Sequence, residues 1–72
     1  MKKVFKMQDL DCAHCAAKME DGINKLDGVN KATISFMTQK LTIDAEDARF
    51  DEIVKEAVKI VKSVEPDCEV LL

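Results

Sequence analysis

Residues 9–16 read Asp9-Leu10-Asp11-Cys12-Ala13-His14-Cys15-Ala16, and the arrangement of the whole chain can be worked out from this stretch. Two cysteines separated by two residues place two sulfur atoms within reach of one soft metal ion. A strand pattern precedes the stretch and a helix pattern follows it, so the cysteines lie where a loop enters a helix. The helix dipole and the free backbone N–H groups there favour thiolate over thiol. The stretch therefore predicts a metal site.

Hydrophobic periodicity outside this stretch predicts two helices and four strands. Alternation of apolar and polar residues indicates strands at 3–8, 30–37 and 41–44, and a final short strand from Cys68. Apolar residues three and four apart indicate a helix from Ala13 to the Asp27-Gly28 pair, and a second from Phe50 to Val64. Pro66 blocks continuation of the second helix.

The order strand, helix, strand, strand, helix, strand is that of two split βαβ units. It predicts an α+β, ferredoxin-like βαββαβ open-faced sandwich, in which a four-stranded antiparallel sheet carries both helices on one face. The other face of the sheet is left to solvent. With 72 residues, the chain is expected to form one domain, residues 1–72.

Composition excludes several classes of function. A net charge of −3 leaves no basic stripe to neutralise phosphates, so nucleic acid is not an expected partner. No apolar run approaches the ~20 residues that span a bilayer, and the apolar run after Met1-Lys2-Lys3 is too short for a signal peptide. Three cysteines, an odd number, fit a reducing compartment. We therefore expect a cytoplasmic protein.

The residue before the first cysteine bears on the choice of metal. Zinc or cadmium takes about four ligands, and Asp11, Cys12 and Cys15 supply three, which leaves one position for water or a partner's ligand. Copper(I) is satisfied by two thiolates, so a carboxylate offers it little. Asp11 thus favours a divalent ion, although aspartate is also a good helix N-cap, and that role is an alternative.

These residues resemble the heavy-metal-associated domain, which occurs in metal-transporting P-type ATPases and in small metallochaperones. The resemblance runs from Leu10–Ala16 through Leu26–Val29 to the Glu65–Asp67 turn, and so covers the whole chain. Copper-handling members usually carry methionine two residues before the first cysteine, and often lysine in the loop before the last strand. Here these positions hold Leu10 and the Val64–Pro66 segment.

Leucine, aspartate and cysteine in succession resemble the zinc-, cadmium- and lead-exporting ATPases. In those proteins the aspartate is taken to be a metal ligand. The resemblance therefore implies that Asp11, Cys12 and Cys15 bind Zn(II), Cd(II) or Pb(II). It implies a non-catalytic domain that delivers metal to, or regulates, a heavy-metal-transporting P-type ATPase, either in cis as its N-terminal domain or in trans.

Further expectations concern the state of the chain. We expect a monomer, with a metal-bridged dimer as an alternative, because an unfilled coordination position invites a second molecule. The end of the chain in a strand at Leu71-Leu72 favours a piece of a longer transporter over a free-standing chaperone. Patterned helices and strands should fold without metal.

Three other functions remain open. The first is a free-standing copper(I) metallochaperone. The second is a thiol–disulfide redox protein, since a low thiolate pKa suits exchange as well as metal binding. The third is a structural zinc module, which would be unfolded without metal.

Some residues that resemble ligands have simpler interpretations. His14 lies between the cysteines and is expected to point outward to solvent, and Cys68 shares a face with Val70 and Leu72 and is expected in the core. The spacing of Met7, Met19 and Met37 predicts core packing for all three, and the acidic stretch Asp44–Asp47 is expected to be a solvated loop.

Overall fold

Four strands and two helices follow one another in the order that the periodicity predicts. The computed structural model describes residues 1–71. Its elements are β1 (Lys2–Gln8), α1 (Ala13–Asn24), β2 (Val29–Ser35), β3 (Lys40–Ala45), α2 (Phe50–Val64) and β4 (Glu69–Leu71), with a 3-10 turn, Asp47–Arg49, before α2. The predicted ferredoxin-like fold is confirmed.

The sheet has the strand order β2-β3-β1-β4, and each neighbouring pair is antiparallel. β1 is therefore a central strand, paired with β3 on one side and with β4 on the other. Gln8 at the end of β1 lies opposite Glu69 at the start of β4. The cysteine loop thus leaves the sheet from a strand that is held on both sides.

The core lies between one face of the sheet and the two helices. The apolar stripe predicted for α1 is buried at Ala16, Met19 and Ile23, and α2 buries a matching stripe at Phe50, Ile53, Ala57 and Val61. Val4 is 58% exposed on the opposite sheet face, which is open to solvent. Within residues 1–71, neither helix is long and apolar enough to cross a membrane.

Side chains of α1 bind the free edge of β2. The Asn24 amide donates to the carbonyl oxygen of Ala32 (2.9 Å) and accepts from its N–H (2.8 Å). Glu20 accepts a hydrogen bond from the Ile34 N–H at 2.8 Å. These bonds occupy backbone groups that an edge strand would otherwise expose, and they fasten the helix that begins at the cysteine loop.

Several predicted boundaries are wrong. α1 ends at Asn24, and Gly28, the expected helix stop, instead takes the left-handed φ of 89° just before β2. β3 runs to Ala45, so Asp44, whose Cα partners are Lys2 and Lys31, lies in the strand predicted over 41–44 and not in the loop predicted over Asp44–Asp47. Opposite charges on adjacent strands stabilise that pairing.

Met37 is 89% exposed, so its predicted place in the core is wrong. β2 ends at Ser35, and Met37 lies in the turn beyond it, where alternation no longer determines which side chains face inward. Met7 and Met19 are buried as predicted. The expectation for Leu72 lies outside the described residues.

Truncation of Ile23, which has no exposed surface, should lower the free energy of unfolding by about 2–5 kcal/mol because it leaves a cavity. Urea denaturation of Ile23→Ala measures the loss. Met37→Ala is the matched control, and it should stay within about 0.5 kcal/mol of the wild type. A comparable loss for Met37→Ala would contradict the exposed position of that side chain.

Candidate metal site

The two cysteines are held together by the way in which α1 begins. Cys12 is the N-cap residue, with extended backbone angles (φ −124°, ψ 114°), and its sulfur accepts a hydrogen bond from the Cys15 N–H at 3.2 Å. Its carbonyl oxygen accepts from the Ala16 N–H at 3.0 Å. A sulfur thus takes the capping role that a serine or aspartate oxygen usually fills.

The N-cap assignment decides between the two roles considered for Asp11. Because Cys12 caps the helix, the alternative in which Asp11 caps it is wrong. The Asp11 side chain is exposed. Its carboxylate is therefore not engaged in starting α1.

The two thiols have different acidities. The pKa of Cys12 is lowered, first by a hydrogen bond from the Cys15 thiol and then by the Cys15 N–H. The pKa of Cys15 is raised to about 11, first because its thiol is hydrogen-bonded to Cys12 and then because burial disfavours the thiolate. Cys15 therefore keeps its proton at neutral pH, and an ion that binds both sulfurs must displace it.

Glu65 is a carboxylate at this site whose effect on the cysteines sequence reasoning did not identify. It is half-buried at the C-cap of α2, and its negative charge raises the pKa of Cys15 further. Its carbonyl oxygen accepts from the Cys68 N–H at 3.0 Å. The sequence shows only the absence of lysine from this loop, because the effect requires the end of α2 to lie beside the start of α1.

Cys68 and His14 lie where the sequence predicts. Cys68 has no exposed surface, and burial is the main cause that raises the pKa of its thiol. His14 is exposed. All three cysteines are free thiols. Among residues 1–71, no group of three or more histidine, cysteine, aspartate or glutamate side chains is already arranged to hold a metal ion.

Two half-buried sulfur donors at a helix N-terminus suit a soft or borderline metal ion. Residues 4–69 match the family model of the heavy-metal-associated domain. The chain belongs to the heavy-metal-associated domain family. This is a family of domains that bind heavy metals, and the resemblance drawn from the cysteine stretch is confirmed.

Relatives of this heavy-metal-associated domain include both transporters and chaperones. This chain is 30% identical over 66 residues to the cadmium, zinc and cobalt-transporting ATPase of Bacillus subtilis (strain 168). The alignment covers 92% of this chain and 9% of the transporter. It is 27% identical over 64 residues to the copper chaperone CopZ of Enterococcus hirae, covering 89% of this chain and 86% of CopZ.

The heavy-metal-associated fold is also shared with a solved structure described as the CopZ metallochaperone. The two chains superpose with a TM-score of 0.78 at 17% sequence identity, covering 99% of this chain and 100% of the other. That similarity concerns the fold. The chain spans less than a tenth of the length of the transporter that it matches.

Replacement of Glu65 should make Cys15 more acidic, because the carboxylate raises the pKa of that thiol. In Glu65→Gln the pKa of Cys15 falls below about 11, and alkylation of Cys15 by iodoacetamide at pH 8 speeds up severalfold, since thiolate fraction changes about tenfold per pKa unit. Mass spectrometry of the metal-free protein gives the rate for each cysteine.

Glu56→Gln is the control for this experiment, because Glu56 is an exposed α2 carboxylate that lies 3.7 Å from Lys59. It should leave both cysteine rates unchanged. Equal effects of the two substitutions would show that Glu65 acts only through the net charge of the protein and not through its position near Cys15.

Proposed function

We propose that this domain binds Zn(II), Cd(II) or Pb(II) as transported cargo through Asp11, Cys12 and Cys15, as the metal-binding domain of a heavy-metal export ATPase. The observation that carries the proposal is the Cys12–Cys15 sulfur pair at the start of α1, with an unengaged carboxylate on the residue before it. In this proposal residues 1–72 form a single heavy-metal-associated domain.

Charge balance favours a divalent ion. Two thiolates with Zn(II) are neutral, whereas two thiolates with Cu(I) carry one negative charge. The charge of the Glu65 carboxylate already raises the pKa of Cys15, and Asp11 adjoins Cys12, so both disfavour further negative charge at the sulfurs. Lys62, which lies near Cys68, has its ammonium 3.7 Å from Glu69 and so already faces a carboxylate.

The donor set also fits the coordination that a divalent ion prefers. Zinc combines cysteine sulfur with carboxylate oxygen in a shell of about four ligands. Asp11 is exposed, so its carboxylate can turn toward the ion without breaking a hydrogen bond of the fold. Two sulfurs and one carboxylate leave a position open, which water or a partner's ligand fills.

An open shell permits transfer of the ion. Cys12 and Cys15 are half-buried rather than enclosed, so an incoming ligand can reach the ion while the outgoing ones still hold it. The proposed partner is a heavy-metal-transporting P-type ATPase, reached in cis or in trans at the cytosolic face of the membrane. The Bacillus subtilis relative, named for cadmium, zinc and cobalt transport, supports this class of partner. The domain itself acts as a monomer and catalyses no reaction.

A copper(I) metallochaperone is the second candidate. The alignment to the copper chaperone CopZ covers 86% of that protein, so the similarity extends over most of a chaperone. The two candidates differ in what they require of Asp11, because copper(I) needs only the two thiolates.

Competition with chelators for Zn(II) and for Cu(I) separates the candidates. In Asp11→Ala, zinc affinity should fall about tenfold or more, equivalent to about 1.4 kcal/mol, because a ligand is lost. Copper(I) affinity should stay within about twofold, since its two thiolates remain.

Asp67→Ala is the matched control, because Asp67 is an exposed carboxylate in the turn before β4. It removes the same charge without removing a proposed ligand. If Asp11→Ala binds zinc as tightly as the wild type, the assignment of Asp11 is wrong.

A further inference from the structure

Gln39, in the turn between β2 and β3, is bonded to the backbone of the cysteine loop. Its Oε1 accepts from the Leu10 N–H at 3.0 Å, and its Nε2 donates to the Leu10 carbonyl oxygen at 2.7 Å. The same Nε2 donates to the Phe36 carbonyl oxygen at 2.9 Å. The side-chain amide thus satisfies both backbone groups of Leu10, as a neighbouring strand would.

The main chain of Gln39 binds the same segment at a second point. Its carbonyl oxygen accepts from the Met7 N–H at 2.7 Å. Between Met7 and Leu10 lies Asp9, whose φ of 60° is left-handed. Gln39 therefore holds both ends of the turn by which the chain leaves β1 for the cysteines.

Gln39 is itself left-handed, with φ 55°. Residues other than glycine adopt this region at a cost, and they persist there where surrounding contacts determine the conformation. Glycine would suit the backbone at this position better, but it has no side-chain amide to bind Leu10. The contacts to Leu10 are therefore what offset the unfavourable backbone.

Leu10 connects this bridge to the sulfurs. Its side chain is 2% exposed and packs in the core, and its backbone is bonded to Gln39. Both the side chain and the backbone of Leu10 are therefore fixed. Cys12 follows two residues later as the N-cap of α1. Only Asp11 and Cys12 therefore separate Leu10, which Gln39 fixes, from the first residue of α1.

We propose that Gln39 is a positioning residue of the metal site, which fixes the cysteine loop through Leu10 so that Cys12 meets Cys15 in a geometry ready for an ion. The loop is then already ordered in the folded, metal-free protein. Metal binding therefore does not have to supply the free energy of ordering it. The identity of the ion rests on the proposed function, but the effect of Gln39 applies to any ion that both cysteines bind.

Asn24 offers a matched control because it makes the same set of bonds elsewhere. Its Nδ2 donates to the Ala32 and Glu20 carbonyl oxygens, both at 2.9 Å, and its Oδ1 accepts from the Ala32 N–H. Asn24 lies at the last residue of α1, and the cysteines lie at the start. Replacement by leucine removes an equivalent bridge without touching the cysteine loop.

The test compares Gln39→Leu with Asn24→Leu by chelator competition for Zn(II) and Cu(I), at a temperature where circular dichroism shows every variant folded. Gln39→Leu should bind both ions about tenfold more weakly, as substitutions behind metal ligands do. Asn24→Leu should stay within about twofold, since distant sites act independently. In the metal-free proteins, the Leu10 amide should exchange its hydrogen faster in Gln39→Leu alone.

Wild-type affinity for both ions in Gln39→Leu would overturn the proposal, and so would an equal loss in Asn24→Leu. If Gln39→Leu does not fold, Gln39→Gly serves instead, because glycine accepts the left-handed backbone while removing the amide. Unchanged zinc affinity in Asp11→Ala would refute the assignment of that ligand, whereas weaker copper(I) binding by the Gln39 variant would still support its positioning role.

Discussion

The hydrogen bond from the Cys15 N–H to the Cys12 sulfur is the contact on which the site depends. It makes the first cysteine the cap of α1, so one interaction begins the helix and sets the two sulfurs side by side. The other end of the helix is fixed separately, where Asn24 binds the edge of β2. Metal-binding geometry here is a consequence of where and how a helix starts.

Charge then determines what that geometry can hold. The two thiols differ in acidity, with the pKa of Cys12 lowered and that of Cys15 raised to about 11. At neutral pH an incoming ion must release the Cys15 proton, so metal affinity rises with pH up to that pKa. Carboxylates next to the pair raise the cost of leaving net negative charge there, and a divalent ion removes that charge more completely than a monovalent one.

Much of the fold could be predicted from sequence because the spacing of apolar residues reflects which side chains are buried. The stripes that bury Met19 and Ile23 in α1, and Ile53 and Val61 in α2, are visible as three- and four-residue spacings. Alternation predicted the strands, but it could not tell where β2 ends. The spacing of Met37 predicts core packing, but the residue lies beyond Ser35 in the turn and is exposed.

The candidate site divides in the same way. The three proposed ligands lie close together in sequence, and their chemistry alone was enough to select them: Asp11, Cys12 and Cys15. Gln39 and Glu65 could not, because Gln39 bonds to Leu10 across 29 residues and Glu65 meets Cys15 only when both helices are packed. A polar residue in a short turn carries no local sign of such a contact. The sequence alone therefore does not predict which side chains from distant elements come together.

X-ray absorption spectroscopy of the zinc-loaded protein tests the central claim most directly, because it counts the atoms around the ion. The account predicts two sulfurs at ~2.3 Å and oxygen or nitrogen neighbours at ~2.0–2.2 Å that complete a shell of about four. In Asp11→Ala water takes the place of the carboxylate oxygen, so the contribution of the carboxylate carbon to the spectrum is lost. Four sulfurs contributed by two chains, or an unchanged spectrum in Asp11→Ala, would contradict it.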